Sequence, residues 1–328
     1  MKRILIVGGG SIGERHLRCF QRTGRTGVSL CEIRDDLRGQ IAERYRLSQT
    51  YSSLETALAE NWDAGVICTP ANLHIPMAMA FAEKSIPVLI EKPLSVALEG
   101  IAEFQERIVS QSLPVSVAYV LRHHPGFLAM KQALGDSRFG RPVEVVMTGG
   151  QHFPFYRPAY RETYYTRHET GGGAIQDALT HMMNAAEWLV GPVTKLVADA
   201  EHCLLEGVAV EDTVHVLTRH GGVLGSFSLN QHQAANETTL TVICEQGMLR
   251  FESHNCRWLS CLKPGEPWNV EGEFSLERDD LFVAQANAFL DQLEDKRGPA
   301  CSIEEALQTL RVNLAALESL KSRAWITL

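Results

Sequence analysis

The amino-terminal sequence joins a short apolar strand directly to a glycine-rich turn. Residues 4–7 read Ile-Leu-Ile-Val, and the pattern Gly-x-Gly-x-x-Gly follows at Gly8, Gly10 and Gly13. The first glycine permits a tight turn, the second lets backbone N–H groups approach a pyrophosphate, and the third lets the next helix pack closely on the strand. This segment predicts a parallel sheet with phosphate bound at the first helix. Alone the pattern is ambiguous, because such a turn can be only a turn.

The second predicted strand ends in an acidic residue. Glu32 lies close to the roughly 20-residue interval after Gly13 at which a carboxylate meets the ribose hydroxyls of a dinucleotide. A carboxylate there favours NAD over NADP. Arg34 leaves NADP open, because a guanidinium near the ribose can pair with a 2′-phosphate. In the alternative interpretation, Glu32 is one more strand-end charge beside Arg34, Asp35 and Asp36.

Composition narrows the class of protein. The chain has 328 residues, of which 45% are hydrophobic, enough for two packed cores. A net charge of -8 argues against nucleic acid and anionic membranes as partners and favours small molecules. The sequence lacks both a membrane-length apolar run and a signal peptide, so we expect a cytoplasmic protein. Eight cysteines without a C-x-x-C pair predict no metal site, and Cys31 and Cys68 are expected to be small buried residues.

The chain up to about residue 120 alternates short apolar runs with amphipathic stretches, which predicts an α/β Rossmann domain with a doubly wound parallel sheet. The predicted strands are 3–7, 28–32, 64–68, 86–90 and 115–120. The predicted helices are 13–22, 36–46, 53–60, 72–84 and 95–110.

Longer alternating runs begin near residue 143 and predict an α+β domain with an open, mainly antiparallel sheet. The predicted strands are 193–200, 212–218, 223–230, 238–245 and 247–252, with hairpin turns at 219–222 and 245–247. Two closing helices are predicted at 280–296 and 303–323, the second with Ser302 and Glu305 at capping-box spacing. The predicted domains are therefore 1–121 and 122–328.

Ligands of a doubly wound sheet bind beyond the carboxyl ends of its strands, so the residues that follow each strand are of interest. The strand at 64–68 is followed by Thr69, Pro70, Asn72 and His74. Thr69 or Asn72 can cap the next helix, and either can also contact the nucleotide.

The strand at 86–90 is followed by Glu91, Lys92 and Pro93. Proline disfavours a helical conformation at the residue before it, so Lys92 is expected to direct its amine into the cleft beyond the sheet. The alternative is an ordinary charge pair at a strand end, ahead of a helix that begins with proline.

The segment from Gly171 to Gly173 precedes a predicted helix with one apolar and one polar face. Asp177 and His181 are four residues apart and share the polar face, with Asn184 beside them. A polar helix face is usually only solvated. An acid four residues before a histidine can also hold the imidazole in one tautomer for proton transfer.

An aromatic and basic stretch lies ahead of these glycines. Its members are His152, Tyr156, Arg157, Tyr160, Arg161, Tyr164, Tyr165, Arg167 and His168. Tyrosines stack on sugars and arginines bind carboxylates or phosphates, so the stretch can line a substrate site. It can equally form a subunit interface, where both residue types are enriched. Arg122 follows the last predicted strand of the first domain and is a further candidate for substrate contact.

Four motifs occur together in this order: Gly8-x-Gly10-x-x-Gly13-x-x-His16, Glu91-Lys92-Pro93, Arg122-x-x-Pro125 and Gly172-Gly173-x-x-x-Asp177-x-x-x-His181. With them the chain resembles, essentially end to end, the Gfo/Idh/MocA family, named for glucose-fructose oxidoreductase and inositol dehydrogenase. The resemblance implies an amino-terminal Rossmann domain and a carboxy-terminal open-faced sheet, usually an oligomerisation surface. It implies a homodimer or homotetramer, with substrate bound between the domains.

The resemblance also assigns roles. Lys92 matches the family's active-site lysine, Asp177 its active-site aspartate and His181 its general acid/base, and the peptide bond before Pro93 is expected to be cis. The expected cofactor contacts are Gly8, Gly10, Ser11, Ile12, Gly13, Glu32, Arg34, Thr69, Pro70, Asn72, His74, Glu91, Lys92 and Pro93. The expected substrate contacts are Arg122, Tyr160, Arg161 and Tyr164.

The implied reaction is NAD(P)-dependent transfer of a hydride between nicotinamide and a secondary hydroxyl of a sugar, a cyclitol or a sugar derivative. One alternative is a glycoside hydrolase or epimerase that oxidises its substrate transiently and regenerates its NAD. A second is a non-catalytic regulatory protein that senses NAD. Retention of Lys92, Asp177 and His181 argues against the sensor, which needs no proton-transfer geometry.

Overall fold

The computed structural model describes residues 1–328 and divides them into two compact units. The first unit comprises Met1–Val120 and Glu277–Ala306, and the second comprises Leu121–Leu276 and Leu307–Leu328. The chain first passes from the first unit to the second after Val120, one residue before the predicted end of the first domain at residue 121. The predicted second domain comprised residues 122–328, whereas in the structure residues 277–306 belong to the first unit. The reason is packing, because Phe289 and neighbouring apolar residues of this segment join the core of the first unit.

Six parallel strands form the sheet of the first unit in the order β3-β2-β1-β4-β5-β6. Its elements are β1 (Lys2–Val7), α1 (Ser11–Arg22), β2 (Thr26–Cys31), α2 (Asp35–Tyr45), β3 (Thr50–Tyr51), α3 (Leu54–Ala57), β4 (Ala64–Ile67), α4 (His74–Glu83), β5 (Val88–Ile90), α5 (Ile101–Ser110) and β6 (Val115–Val117). This order is that of the doubly wound dinucleotide-binding fold, so the predicted fold class is confirmed. The loops after β1, β4 and β5 lie at one edge of the sheet.

Several boundaries differ from the prediction for local reasons. Helix α5 starts at Ile101 and not at 95, because Gly100 before it adopts a left-handed conformation with φ 74°. Strand β6 stops at Val117, and a 3-10 turn follows at Val120–His123. Strand β3 was not predicted, since two residues carry no periodicity.

The second unit contains a nine-stranded sheet in the order β14-β13-β12-β11-β7-β10-β9-β8-β15. The elements that precede the closing helices are α6 (Pro125–Leu134), β7 (Pro142–Gly150), α7 (Phe153–Tyr156), α8 (Thr180–Val190), β8 (Lys195–Glu201), β9 (Thr213–His220), β10 (Val223–Asn230), β11 (Glu237–Cys244), β12 (Gly247–Glu252), β13 (Arg257–Cys261) and β14 (Asn269–Glu273). Only the β7–β10 pair is parallel, so a mainly antiparallel sheet is confirmed. Both predicted hairpins form, at Gly221–Gly222 and Glu245–Gln246.

The closing elements are α9 (Asp280–Gln292), α10 (Ile303–Ser322) and β15 (Ile326–Thr327). The predicted capping box of α10 is present, because the Ser302 N–H donates to Glu305 Oε2 at 2.9 Å and the Glu305 N–H donates to Ser302 Oγ at 3.3 Å. Among the helices of the structure, none combines the length and the apolar character that a membrane span requires.

The nine-stranded sheet buries one face. Val145 and Met147 of β7 and Phe227 of β10 pack there against α8 residues such as Met183. The opposite face carries polar and charged side chains together with exposed aliphatic ones, including Leu217, which is 53% exposed. Alternation along each strand therefore produces the open-faced sheet that the resemblance implied.

Cys31 and Cys68 lie at the carboxyl ends of β2 and β4 and are buried. Burial raises the pKa of the Cys31 thiol to about 11. Burial also raises the pKa of Cys68, with Glu91 nearby adding to the shift. Both cysteines are packing residues, as predicted.

Candidate active site

The glycine-rich turn after β1 is held in shape by steric contacts with the chain's own backbone. Gly8 has φ 95°, and a Cβ there would lie 2.9 Å from the Cys68 carbonyl oxygen. A Cβ on Gly13 would lie 1.8 Å from the Gly8 carbonyl oxygen. Neither position accepts a side chain, because the obstructing atoms are backbone atoms that cannot rotate away. The turn therefore leads directly into α1, with Ser11 exposed at its first position.

Gly10 is different, since the protein itself does not require glycine there. Its backbone is extended, with φ -61° and ψ 179°, and a Cβ would have no atom within 4 Å. The space beyond Gly10 faces the start of α1, where the first N–H groups of a helix lack partners within it. An open approach to unsatisfied N–H groups suits a pyrophosphate, so the turn fits the dinucleotide that the sequence predicts.

Glu32 supports the same turn from the end of β2. Glu32 is 7% exposed. Its Oε2 accepts the Gly9 N–H at 2.7 Å, and its Oε1 accepts the Arg34 N–H at 2.9 Å. The Arg34 side chain is 61% exposed, with Nε 3.4 Å from Glu32 Oε1. The structure thus brings both predicted ribose-site residues to the turn, and it adds a contact to Gly9 that sequence reasoning missed.

Glu91 joins α1 to the loop after β5. Its Oε1 lies 2.7 Å from Nε2 of the buried His16, and its Oε2 accepts the Lys92 N–H at 2.9 Å. Burial alone raises the pKa of Glu91, but the His16 hydrogen bond and the Lys92 charge outweigh it and hold the pKa below its ordinary value. The bond between Lys92 and Pro93 is cis, as the resemblance implied. The ionised Glu91 therefore orients the backbone that carries Lys92.

His74 joins the loop after β4 to the loop after β5. The ring is buried, with Nδ1 2.9 Å from the Pro93 carbonyl oxygen and Nε2 2.9 Å from the Thr69 carbonyl oxygen. Burial lowers the pKa of His74, and the two carbonyl contacts oppose that shift. Both ring nitrogens are engaged within the protein, so this imidazole positions loops.

Thr69 and Asn72 do not cap the helix that follows them. Helix α4 and the 3-10 turn before it begin without a side-chain hydrogen bond to a free N–H. Pro70 and Asn72 are exposed and Thr69 is half-buried. The capping interpretation is therefore wrong: the Thr69 hydroxyl donates to Met77 Sδ at 3.4 Å, and Asn72 stays exposed at this strand end.

In the second unit, Gly172 and Gly173 allow two close approaches of distant chain segments. A Cβ on Gly172 would lie 2.1 Å from the Tyr165 carbonyl oxygen, and a Cβ on Gly173, where φ is 91°, would lie 2.5 Å from Glu211 Oε1. A π-helical turn at Ile175–Leu179 follows and continues into α8. Such turns are frequent at functional sites.

Asp177 and His181 lie on this turn and the first turn of α8. Both are half-buried, whereas Asn184 is 1% exposed and Glu187 is 9% exposed. The polar face is therefore not a solvated face. Asp177 and His181 are the only charged or titratable side chains of residues 175–190 that stay accessible.

Three of the four predicted substrate residues, Tyr160, Arg161 and Tyr164, make different contacts. The Tyr164 hydroxyl donates to Asp177 Oδ1 at 2.7 Å, and Tyr164 is 40% exposed. Tyr160 is 2% exposed and donates its hydroxyl to the Glu206 carbonyl at 2.7 Å. Arg161 donates its Nε–H to the same carbonyl at 2.8 Å. Of these three, only Tyr164 contacts a predicted catalytic side chain.

Arg122 is buried within the second unit. It is 4% exposed, its Nε–H donates to Asn184 Oδ1 at 2.9 Å, and its guanidinium lies 5.5 Å from the centre of the Trp188 ring. Its side chain thus packs against α8.

Two family models match the chain. Residues 2–119 match the oxidoreductase family with an NAD-binding Rossmann fold, and residues 127–250 match the GFO/IDH/MocA C-terminal domain. Together they cover most of the chain.

Individual relatives agree with this result. A myo-inositol 2-dehydrogenase of Thermotoga maritima is 23% identical over 338 aligned residues, covering 99% of this chain and 98% of the relative. The solved structure of a levoglucosan dehydrogenase in complex with NADH shares the fold with a TM-score of 0.90, at 18% identity and with 99% and 98% of the two chains covered. So does the WlbA dehydrogenase of Bordetella pertussis in complex with NADH and UDP-GlcNAcA, with a TM-score of 0.86, 23% identity and 100% and 97% covered. The chain belongs to the Gfo/Idh/MocA family and is an NAD-binding oxidoreductase.

Proposed function

We propose that the protein transfers a hydride between nicotinamide and a secondary hydroxyl of a sugar, a cyclitol or a sugar derivative. The observation that carries the proposal is that Asp177 and His181 alone stay accessible among the charged or titratable groups of residues 175–190. The Tyr164 hydroxyl on Asp177 adds a polar group suited to a hydroxylated ligand. The names of relatives, myo-inositol 2-dehydrogenase and levoglucosan dehydrogenase, support this substrate class.

The cofactor, when bound, accepts or returns the hydride at its nicotinamide ring. Gly10, Ser11 and Glu32 would hold its phosphates and ribose. His181 takes the proton from the substrate hydroxyl as the carbonyl forms, a role that histidine fills because it changes charge near neutral pH. Such positioned proton transfer contributes about 10²- to 10⁴-fold. The reverse transfer returns the proton.

Lys92 and Asp177 complete the proposed chemistry. The Lys92 amine hydrogen-bonds the reacting oxygen and opposes the negative charge that develops on it. Asp177 orients the substrate or the imidazole, and the Tyr164 hydroxyl fixes the direction of its carboxylate. Because Glu91 Oε2 accepts the Lys92 N–H, the lysine side chain starts from a defined position.

We also propose that the open face of the nine-stranded sheet joins copies of the chain into a homodimer or homotetramer in the cytoplasm. The exposed aliphatic residues Leu217 and Leu224 support it, since they lie on neighbouring strands of that face. Cys31 and Cys68 are buried packing residues at apolar strands, which suits a reducing compartment.

A substrate screen combined with one variant tests the function. Polyols, uronates and glycosides are supplied with NAD, and then with NADP, while NADH or NADPH absorbance is followed. His181→Asn is expected to bind NADH like the wild type and to lose turnover. His254→Asn, at an exposed position in the turn between β12 and β13, is the matched control and keeps full activity. Undiminished turnover in His181→Asn contradicts the assignment. Tightly held NAD without net NADH release favours the hydrolase or epimerase alternative.

A further inference from the structure

The carboxylate of Glu211 is buried beneath the start of the turn that carries Asp177. Glu211 is 5% exposed, and its Oε1 accepts the Ile175 N–H at 2.9 Å across 36 positions of sequence. Its backbone carbonyl accepts the Ala174 N–H at 3.0 Å. N–H groups at the start of a helical segment have no partner within it. Glu211 therefore fixes where this turn begins.

The second carboxylate oxygen of Glu211 holds His168. Glu211 Oε2 lies 2.5 Å from His168 Nε2. This hydrogen bond raises the pKa of His168, while burial lowers it; among the other facing charges, Glu169 raises the pKa and Lys321 lowers it. The His168 imidazole is 40% exposed and the Glu211 side chain 5% exposed, so one end of the pair reaches solvent.

His168 belongs to a segment, residues 164–170, that contacts the turn at several points. The Tyr164 hydroxyl bonds Asp177, and the Gln176 side-chain amide donates to the His168 carbonyl at 3.0 Å. The Thr170 hydroxyl donates to the Tyr164 carbonyl at 2.6 Å, which closes the segment on itself. We call this segment the strap. The Glu211 carboxylate thus bonds the turn with one oxygen and the strap with the other.

Gly173 is the residue that makes this arrangement possible. Its φ of 91° and its virtual Cβ contact of 2.5 Å with Glu211 Oε1 exclude any side chain. The close approach of the buried Glu211 carboxylate therefore explains why residue 173 is a glycine.

We propose that Glu211 and His168 are positioning residues for Asp177 and His181. By clamping the strap to the turn, they hold the Tyr164 hydroxyl on Asp177 and fix the direction of both catalytic side chains. In this proposal both residues act through the strap and the turn. The inference rests on the proposed function for its catalytic consequence only, because the clamp itself can be measured without turnover.

Glu211→Gln tests the clamp with little change of volume. The amide keeps an oxygen for the Ile175 N–H, but it presents an NH2 donor to His168, which only a neutral imidazole can accept. In the wild type the clamp is strongest when His168 is protonated, and in the variant it is strongest when His168 is neutral. We expect kcat to fall by up to about 10²-fold at low pH, the scale of a small misplacement, with NADH affinity unchanged. The ratio of variant to wild-type kcat should rise as pH rises.

Glu252→Gln is the matched control. It removes the negative charge opposite Arg257, whose Nε–H donates to Glu252 Oε2 at 2.7 Å in a partly exposed ion pair of the same unit. Its kcat should equal that of the wild type at every pH. His168→Gln is the milder second variant, and the double variant His168→Gln/Glu211→Gln should be no slower than the slower single. A kcat ratio for Glu211→Gln that stays constant with pH, or multiplied effects in the double variant, would overturn the proposal.

Hydrogen exchange followed by mass spectrometry gives a readout that needs no substrate. At low pH, where His168 is protonated and the clamp of the variant is weakest, Glu211→Gln should speed exchange in residues 164–181 and leave residues 1–120 unchanged. Wild-type exchange rates in 164–181 at that pH would overturn the clamp. Absence of turnover in the wild-type protein with every substrate would instead refute the proposed function, and the exchange result would still decide about the clamp.

Discussion

The two glycine-rich turns of the molecule meet different kinds of neighbour. Around Gly13 the obstructing atom is the Gly8 carbonyl oxygen, which belongs to the same turn. Around Gly172 and Gly173 the obstructing atoms belong to Tyr165 and to the Glu211 side chain. The first turn is enclosed by backbone atoms, at Gly13 by the Gly8 carbonyl and at Gly8 by the Cys68 carbonyl, and its glycine spacing indicates its geometry. The second is also enclosed by the buried side-chain carboxylate of Glu211, from the segment before β9, and its spacing indicates only that something approaches closely.

The largest expected effect comes from Gly13→Ala. Its Cβ would lie 1.8 Å from a backbone oxygen, so α1 must move away from β1. We expect a loss of more than about 3 kcal/mol in the free energy of unfolding, the upper range of overpacking, together with loss of NADH binding. Thermal unfolding and NADH titration measure both.

Gly10→Ala is the control that separates folding from binding. Because no atom lies within 4 Å of its virtual Cβ, stability should match the wild type while NADH affinity falls. Wild-type affinity in Gly10→Ala would show that the open space beside α1 is not where the dinucleotide backbone passes.

A substitution in the second turn should destabilise the protein less than Gly13→Ala does, and it should affect catalysis more than NADH binding. Gly172→Ala places a Cβ 2.1 Å from the Tyr165 carbonyl oxygen, and the strap can shift to relieve it. We expect about 1–3 kcal/mol of destabilisation and a large fall in kcat with NADH affinity retained. Gly222→Ala, in the open hairpin turn, should change neither quantity. An equal loss of NADH affinity in Gly172→Ala would end the distinction between the two turns.

The smallest expected effect is a difference in pH dependence between the two histidine–carboxylate pairs. The pKa of Glu91 is lowered in the folded state, so its stabilisation is present above its unfolded pKa and is lost as pH falls through the folded one. The pKa of His168 is raised, so its stabilisation is complete below its unfolded pKa and is lost as pH rises through the folded one.

Unfolding measured across pH tests these signs. The stability gap between the wild type and Glu91→Gln should narrow towards acid, and the gap for His168→Gln should narrow towards alkali. Gaps that narrow in the same direction would contradict the assigned ionisation states.

Local signals predicted a large part of this molecule. The glycine spacing, the alternating strands and the capping box of Ser302 all act over a few residues, and each is confirmed. The sequence did not predict the hydrogen bond of Glu211 to the Ile175 N–H or the contacts of His74 with two backbone carbonyl groups. It also did not predict that residues 277–306 belong to the first unit. These depend on residues far apart along the chain, where neither periodicity nor spacing carries information.

The π-helical turn at Ile175–Leu179 was missed for a related reason. A regular helix and a π turn both keep Asp177 and His181 on one side, so the sequence pattern is the same for each. The hydrogen bond that Glu211 makes to the Ile175 N–H at the start of this turn comes from a distant position in the chain, which the local pattern does not reveal.

The most direct test of the central claim is a double-variant cycle on kcat with Lys92→Met and His181→Asn, at saturating NAD and the best substrate of the screen. If both side chains act on one reacting oxygen, their effects are not independent. The double variant should then be no slower than the slower single variant. Effects that multiply in the double variant would show that Lys92 and His181 act independently, and would contradict a shared reaction centre.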